Sequence, residues 1–177
     1  SEILKKCELS FDNFEKINNY CKLKKITFFS TPFDEESVDF LESINVPFYK
    51  IASFDISNYQ LIKKILKTKK PTIASTGMAS FNEIKKIHKM FHIKGIDLAI
   101  LHCVSSYPCK PENINMPRLI KLKEFGHKVG YSGHSSDIYD GILAMSYGAE
   151  FVEKHFTIDQ NLPGRDNKFA ILPEQMK

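Results

Sequence analysis

None of the four cysteines (Cys7, Cys21, Cys103, Cys109) forms a CxxC pair, and none has zinc-binding spacing. In a chain of 177 residues this argues against a disulfide framework or a thiolate-held metal and points to the reduced thiols of a cytosolic protein. No apolar run approaches the ~18 residues of a membrane-crossing helix, and no N-terminal stretch resembles a signal peptide. The expectation is therefore a cytoplasmic protein with no membrane partner. Charge of one sign is also scarce: 25 Lys+Arg face 21 Asp+Glu, a net +4. The lysines gather in small solvated groups such as Lys63, Lys64, Lys67, Lys69 and Lys70 rather than along one stripe, which argues against nucleic acid as a partner. Arginine is nearly absent, with only Arg118 and Arg165. No Gly-x-Gly-x-x-Gly follows the first predicted strand, which weakens a dinucleotide-binding reading.

What the chain does contain is a βα rhythm. Strand-like runs begin near residues 26, 48, 72, 98, 129 and 151, and helical patterns fill the intervals. Ser10 is a candidate N-cap for a helix through Phe11, Phe14, Ile17 and Tyr20. Ile26–Phe29 reads as the first strand, Glu35–Ile44 as a helix and Phe48–Ala52 as the second strand. Asn58–Leu66 reads as a helix and Thr72–Ala74 as a strand. Ser80, with Glu83 three residues on, has the capping-box pattern for a helix to about Phe91. Leu98–Leu101 is the next strand, and a helix is expected near Met116–Glu124. Lys128–Tyr131 is a strand, Asp137–Tyr147 a helix closed by Gly148, and Phe151–Lys154 the last strand. The last residues, Leu172–Lys177, look like the first turn of a helix. Short, mostly apolar strands alternating with helices describe a covered parallel sheet. A doubly wound sheet and a (β/α)8 TIM barrel both fit. Polar residues follow nearly every strand, as they do when all βα loops of a barrel build one site at its C-terminal face. About six βα units give a partial barrel.

The polar strand ends carry the chemistry. They supply Thr31, Lys50, Ser53, Asp55, Ser75, Thr76, Ser105, Tyr107, Ser132, His134 and His155. His134 and His155 lie 21 residues apart with a helical pattern between them. A strand–helix–strand unit of that size sets its strands side by side and parallel, so both imidazoles reach one rim. Two neutral histidines suit a borderline divalent ion. A lysine with several hydroxyls suits a phosphate or carboxylate. Lys50 is notable because it lies inside an apolar strand, where lysine is rarely buried unpaired. Asp55 can orient a water or move a proton. His102 reads as structural, and His88 and His92 as residues of a solvated helix face. Gly77 and Gly133 read as turn residues, and Asp34 and Glu35 as a helix start.

Seven phrases in order carry a resemblance over nearly the whole chain: Phe29-Ser-Thr-Pro-Phe-Asp34, Tyr49-Lys-Ile-Ala-Ser53, Ser75-Thr-Gly-Met78, Leu101-His-Cys-Val-Ser-Ser-Tyr-Pro108, Gly130-Tyr-Ser-Gly-His134, Glu153-Lys-His-Phe-Thr157 and Pro163-Gly-Arg-Asp166. In these the chain resembles the sialic (nonulosonic) acid synthases. The family fold is a (β/α)8 barrel followed by a small antifreeze-like domain. The resemblance implies that residues 1–177 form a partial TIM-barrel synthase domain, covering the third to eighth strands without the first two strands or the antifreeze-like domain. It also implies a swapped homodimer for the complete family protein.

The resemblance further implies condensation of phosphoenolpyruvate with a 2-acetamido sugar aldehyde and release of phosphate. His134 and His155 would hold Mn²⁺ or Mg²⁺. Thr31 and Lys50 would contact the phosphoenolpyruvate carboxylate, and Ser53, Ser75, Ser105 and Ser132 the phosphate. Asp55 would manage protons or water, while Tyr107 and Asp166 would face the sugar. Three positions depart from the family pattern: Gly133 stands where many members have Asp, Ser105 where some have Asn and Asp55 where some have Glu. The first implies a missing support for the metal site. Two other readings are a synthase of 3-deoxy sugar acids, disfavoured by the scarcity of arginine, and a barrel remnant that binds a sugar acid or phosphate without turnover.

Overall fold

Helix starts fall where a short polar side chain can accept a backbone N–H. The Ser10 hydroxyl accepts from Asn13, Asp34 from Ser37, Asn58 from Leu61 and Ser80 from Glu83, with Glu83 returning the bond to complete a capping box. The Asp34 carboxyl is held below its ordinary range by the Ser37 backbone N–H. Gly95 closes one helix and Gly148 follows another, both in the left-handed region (φ 63° and 82°).

The computed structural model describes residues 2–177. Its elements in order are α1 (Glu2–Cys7), α2 (Phe11–Leu23), α3 (Glu35–Ser43), β1 (Tyr49–Ile51), α4 (Tyr59–Lys67), β2 (Thr72–Ser75), α5 (Phe81–Lys94), β3 (Leu98–Cys103), α6 (Pro117–Lys123), β4 (Lys128–Gly133), α7 (Tyr139–Ser146), β5 (Val152–Lys154) and α8 (Pro173–Met176). All four strand pairings are parallel, and the sheet order follows the chain, β1-β2-β3-β4-β5. A doubly wound sheet reverses direction at a switch point, and this one does not, so the order decides for the barrel class.

Curvature decides it further. In a flat sheet β1 and β5 would lie ~19 Å apart, four strand spacings. Yet Lys50 Nζ on β1 lies 3.3 Å from Glu153 Oε1 on β5. The sheet therefore curls until its two edge strands face each other, giving a half-barrel.

Register sorts the side chains. Lys50, Ile73 and Ala99 are partners across the sheet, and Ser132 is the partner of Glu153. By alternation these, with Ser75 and Cys103, face the concave inside. Tyr49, Ile51, Ala74, Leu98, Ile100, Val129 and Tyr131 face outward and are buried beneath Leu61, Ile62, Ile65, Ile84, Ile87, Phe91, Leu119 and Leu122 of the helices. Each such side chain contributes ~1.5–3 kcal/mol through burial. The core thus lies outside the sheet, and the inside is left for polar work.

One predicted strand does not form. Ile26–Phe29 joins no ladder, and its junction with β1 shows a single backbone bond, from Lys50 N–H to the Ser30 carbonyl (3.4 Å). Its β-prone residues are used as packing instead. Phe29 lies against Phe48 at 4.3 Å between centroids, and Phe28 meets Phe14 edge-on. The six expected units therefore appear as five strands. The expected last helix turn is present as α8.

Candidate functional site

The strand ends bring nearly all the expected residues to one rim. The short helical turn Ser53–Asp55 follows β1 and carries two of them, both buried. The Ser53 hydroxyl accepts from the Met78 backbone N–H (2.7 Å) and from the Ser105 hydroxyl (3.2 Å), tying three βα loops together. Asp55 is buried, and its Oδ1 accepts from Asn58 Nδ2 (3.0 Å) while its Oδ2 has no protein partner. Ser75, at 4 % exposure, also leaves its hydroxyl without a partner. Buried polar atoms are seldom left unpaired, and each orphan costs ~1–3 kcal/mol. Two of the four such atoms among the described residues lie at this rim, the others being His102 Nδ1 and Arg118 Nε.

Lys50 is buried (7 % exposed) and is not unpaired. Glu153 Oε1 takes both its ammonium and the Ser132 hydroxyl (2.7 Å). Glu153 was not among the expected site residues, although its place two residues before His155 puts it on the same face. Its carboxylate rests between the two donors that an anion would use. Cys103 was likewise unforeseen. A Cβ at Gly77 would meet its sulfur at 2.7 Å and the Ser105 hydroxyl at 2.7 Å, so glycine is required there for the loops to close. Burial pushes the Cys103 thiol up, and it remains protonated. Thr76 turns away, donating to the Leu101 carbonyl (2.9 Å).

The two histidines converge, with ring centroids 5.5 Å apart. His134 Nδ1 donates to the Val104 carbonyl (2.7 Å), and since a carbonyl only accepts, Nδ1 carries the proton and Nε2 keeps a lone pair. His155 Nδ1 is 3.7 Å from Asp166 Oδ2, beyond a hydrogen bond. Burial is the largest influence on both rings and lowers their pKa, outweighing the Val104 hydrogen bond at His134 and the carboxylates of Asp166 and Glu153 at His155. Both imidazoles are thus neutral near pH 7 and fit a divalent ion as nitrogen ligands. Among the described residues no group of three or more His, Cys, Asp and Glu is arranged around one point. An ion here would draw its remaining ligands from water or substrate.

Tyr107 covers the pair, its ring 4.2 Å from His134 and 5.9 Å from His155, with Phe169 behind. Two cavities open at the rim. One, of about 640 Å³, is lined by Thr31, Lys50, Phe29 and Glu153, and the other, of about 440 Å³, by His155, Arg165 and Asp166. Cys7 lies on the wall of both, so they adjoin.

Three expectations about histidines and glycine are settled by position. His102 is fully buried on the outer face and bonds the Ile114 carbonyl through Nε2 (2.7 Å), a structural role. His88 is not solvated. It is half-buried against His127 at the opposite end of the strands, where burial lowers both rings and a cavity of about 760 Å³ opens. At Gly133 a Cβ would lie 2.4 Å from Asp140 Oδ2. A carboxylate already fills that space, supplied from α7 instead of from the strand.

The sequence profile of the NeuB family matches residues 1–177. An uncharacterised protein of Methanocaldococcus jannaschii is 41% identical over 178 residues, covering 99% of this chain and 53% of its own length. The N,N'-diacetyllegionaminic acid synthase of Campylobacter jejuni is 36% identical over 180 residues, covering 99% of this chain and 54% of its own. The chain thus spans about half the length of these curated relatives. In a crystal structure with citrate, the N-acetylneuraminic acid synthetase of Leptospira borgpetersenii superposes with a TM-score of 0.96 at 35% identity, over 99% of this chain and 62% of that one. With one profile covering every residue and a half-barrel shared almost throughout, the chain belongs to the NeuB family, the sialic acid synthases.

Proposed function

We propose that the complete protein condenses phosphoenolpyruvate with a 2-acetamido sugar aldehyde to give a nonulosonic acid and phosphate. The observation that carries this reading is the set of anion-binding groups (Lys50, Ser53, Ser75, Ser105, Ser132) on the same concave rim as two neutral imidazoles.

In this reading the Lys50 ammonium and Thr31 take the phosphoenolpyruvate carboxylate, and the serine hydroxyls take its phosphate. Entry of the anion makes Lys50 and Ser132 exchange Glu153 for the substrate. His134 and His155 would hold Mn²⁺ or Mg²⁺, which when bound supplies Lewis acidity to an aldehyde oxygen. C3 of the enol ester forms a carbon–carbon bond to the aldehyde carbon. Water adds at C2, and the tetrahedral centre loses phosphate by C–O cleavage. Asp55 Oδ2, buried and without a partner, receives or returns the proton of that water. Tyr107 shields the imidazoles from solvent, and Asp166 faces the sugar hydroxyls from the second cavity. Cytoplasmic residence fits such a substrate, and among the described residues no helix is long and apolar enough to cross a membrane.

The test is phosphate release by the full-length protein from phosphoenolpyruvate with Mn²⁺, assayed across 2-acetamido sugars and, separately, phosphorylated aldoses. Release with a 2-acetamido sugar alone supports the proposal. Release only with a phosphorylated aldose, or binding of phosphoenolpyruvate without release under any acceptor, overturns it.

A further inference from the structure

The outer side of the β4–β5 rim holds a buried charge cluster that the proposed chemistry does not use. Lys154 lies between Glu153 and His155 in the chain, but alternation sends its side chain to the helix side of the sheet. There its ammonium is buried (side chain 7 % exposed) beside the Asp140 carboxylate (1 %) of α7. It contacts both carboxylate oxygens, at 3.0 and 3.1 Å, and donates to the Ser135 carbonyl (2.9 Å) and hydroxyl (3.1 Å). Asp140 is also bonded by the Tyr131 hydroxyl (3.0 Å) and by the Gly141 N–H (2.8 Å). The loop adds one more tie, from Cys109 N–H to the His134 carbonyl (2.9 Å).

The connectivity is specific. Ser135 directly follows His134, and Lys154 directly precedes His155. One ammonium therefore ties the residue after the first histidine to the strand residue that precedes the second. At Gly133 no side chain fits, since Asp140 Oδ2, Tyr131 and Lys154 crowd the position of a Cβ at 2.4, 2.7 and 3.0 Å. A buried ion pair gives little net stability over a well-packed apolar pair, so stability alone is a poor reason for this one.

We propose that Lys154 and Asp140 are positioning residues, a clamp behind the sheet that sets the spacing of His134 and His155. The inference rests on the proposed metal reading only for one of its two readouts. The Lys154→Met/Asp140→Leu/Tyr131→Phe variant replaces the pair and the hydroxyl bonded to it with apolar groups of similar size and is expected to melt close to wild type. Lys154→Arg keeps the charge and the ion pair, but its planar guanidinium does not bring Asp140 and the Ser135 carbonyl to one nitrogen.

The experiment is done on the full-length protein. In the metal-free state, long-range ¹H–¹⁵N spectra report the imidazole resonances of His134 and His155. Isothermal titration with Mn²⁺ reports the affinity. Both variants are expected to move the resonances of the two histidines while leaving those of His88 and His127, at the far end of the strands, in place. Mn²⁺ affinity is expected to fall ~10–100-fold, as when the supports of metal ligands are removed. Variants that melt like wild type with unmoved His134 and His155 resonances overturn the clamp. If the resonances move and wild type takes up no Mn²⁺, the clamp stands and the metal reading fails.

Discussion

Strands β4 and β5 carry polar side chains on both faces. On the outer face, Tyr131, Asp140, Lys154 and Ser135 satisfy one another, and each charge meets its opposite within 3.1 Å. Burial, then the Asp140 charge, pushes the Tyr131 phenol up, so it remains a donor to that carboxylate. On the inner face, Lys50 and Ser132 share one oxygen of a half-exposed Glu153, and at the same rim Ser75 Oγ and Asp55 Oδ2 have no protein partner. A buried polar network costs least when it is closed. The closed network supports structure, and the open one leaves two buried oxygens that a ligand would complete.

The largest effect is expected at the histidines. His134→Ala or His155→Ala removes one of two protein nitrogens and should lower Mn²⁺ affinity by more than ~100-fold, beyond the loss from disturbing an outer support. Isothermal titration measures this. Unchanged affinity in both variants would place the ion elsewhere and remove the inner face's chief claim to chemistry.

Lys50→Ala comes next. Loss of a charge-assisted contact of ~1.5–3 kcal/mol should weaken phosphoenolpyruvate about 10–100-fold. Mn²⁺ affinity should hold, since Lys50 touches neither imidazole. Equal phosphoenolpyruvate binding in variant and wild type would mean that Lys50 exists only to pair with Glu153.

Acid should act on the inner face as well. His134 and His155 titrate below 6.5 in the folded chain, because burial disfavours the imidazolium. As pH falls, the unfolded chain binds these protons first, so stability declines from about pH 6.5 downward until the folded rings also protonate. The melting midpoint should drop by several degrees between pH 7 and 5, and Mn²⁺ binding should fade over the same range as protons compete for nitrogen. The His134→Ala/His155→Ala double variant should show a shallower drop. It should not lose the slope altogether, since burial lowers His88, His102 and His127 too.

The helices, the parallel sheet and the inner-face residues were legible in the sequence because each rests on local signals. Caps at Ser10, Asp34, Asn58 and Ser80 are read within four residues, and the polar ends of the last two strands put Ser132, His134 and His155 at one rim. What was not legible is what depends on contacts distant in the chain. Ile26–Phe29 has strand composition, yet its aromatic rings found Phe14 and Phe48 instead of a ladder. Glu153 looked like part of a motif, and only the curl of the sheet shows that it meets Lys50, 103 residues away. Gly133 read as a lost support, because nothing local announces that Asp140 arrives from α7 to fill the space. His88 read as solvated, because its partner His127 lies 39 residues on.

The finest test sets one hydroxyl from each face against the other. Ser75→Ala removes a buried oxygen that has no partner, so no hydrogen bond is lost and the melting midpoint should stay or rise slightly. If phosphate completes that oxygen's bonding, phosphoenolpyruvate should weaken by roughly 2–10-fold, the worth of a single neutral hydrogen bond. Tyr131→Phe removes a hydroxyl whose bond to Asp140 is already made within the protein. It should cost ~1 kcal/mol, or about 2–4 °C in a domain of this size, with phosphoenolpyruvate affinity unchanged. Thermal melts and ligand titrations on the two variants form a crossed pair, in which stability moves in one and affinity in the other. A Ser75→Ala variant that loses stability without losing affinity would mean the inner hydroxyl is structural after all. The open network would then reduce to Lys50, Ser132 and the two histidines.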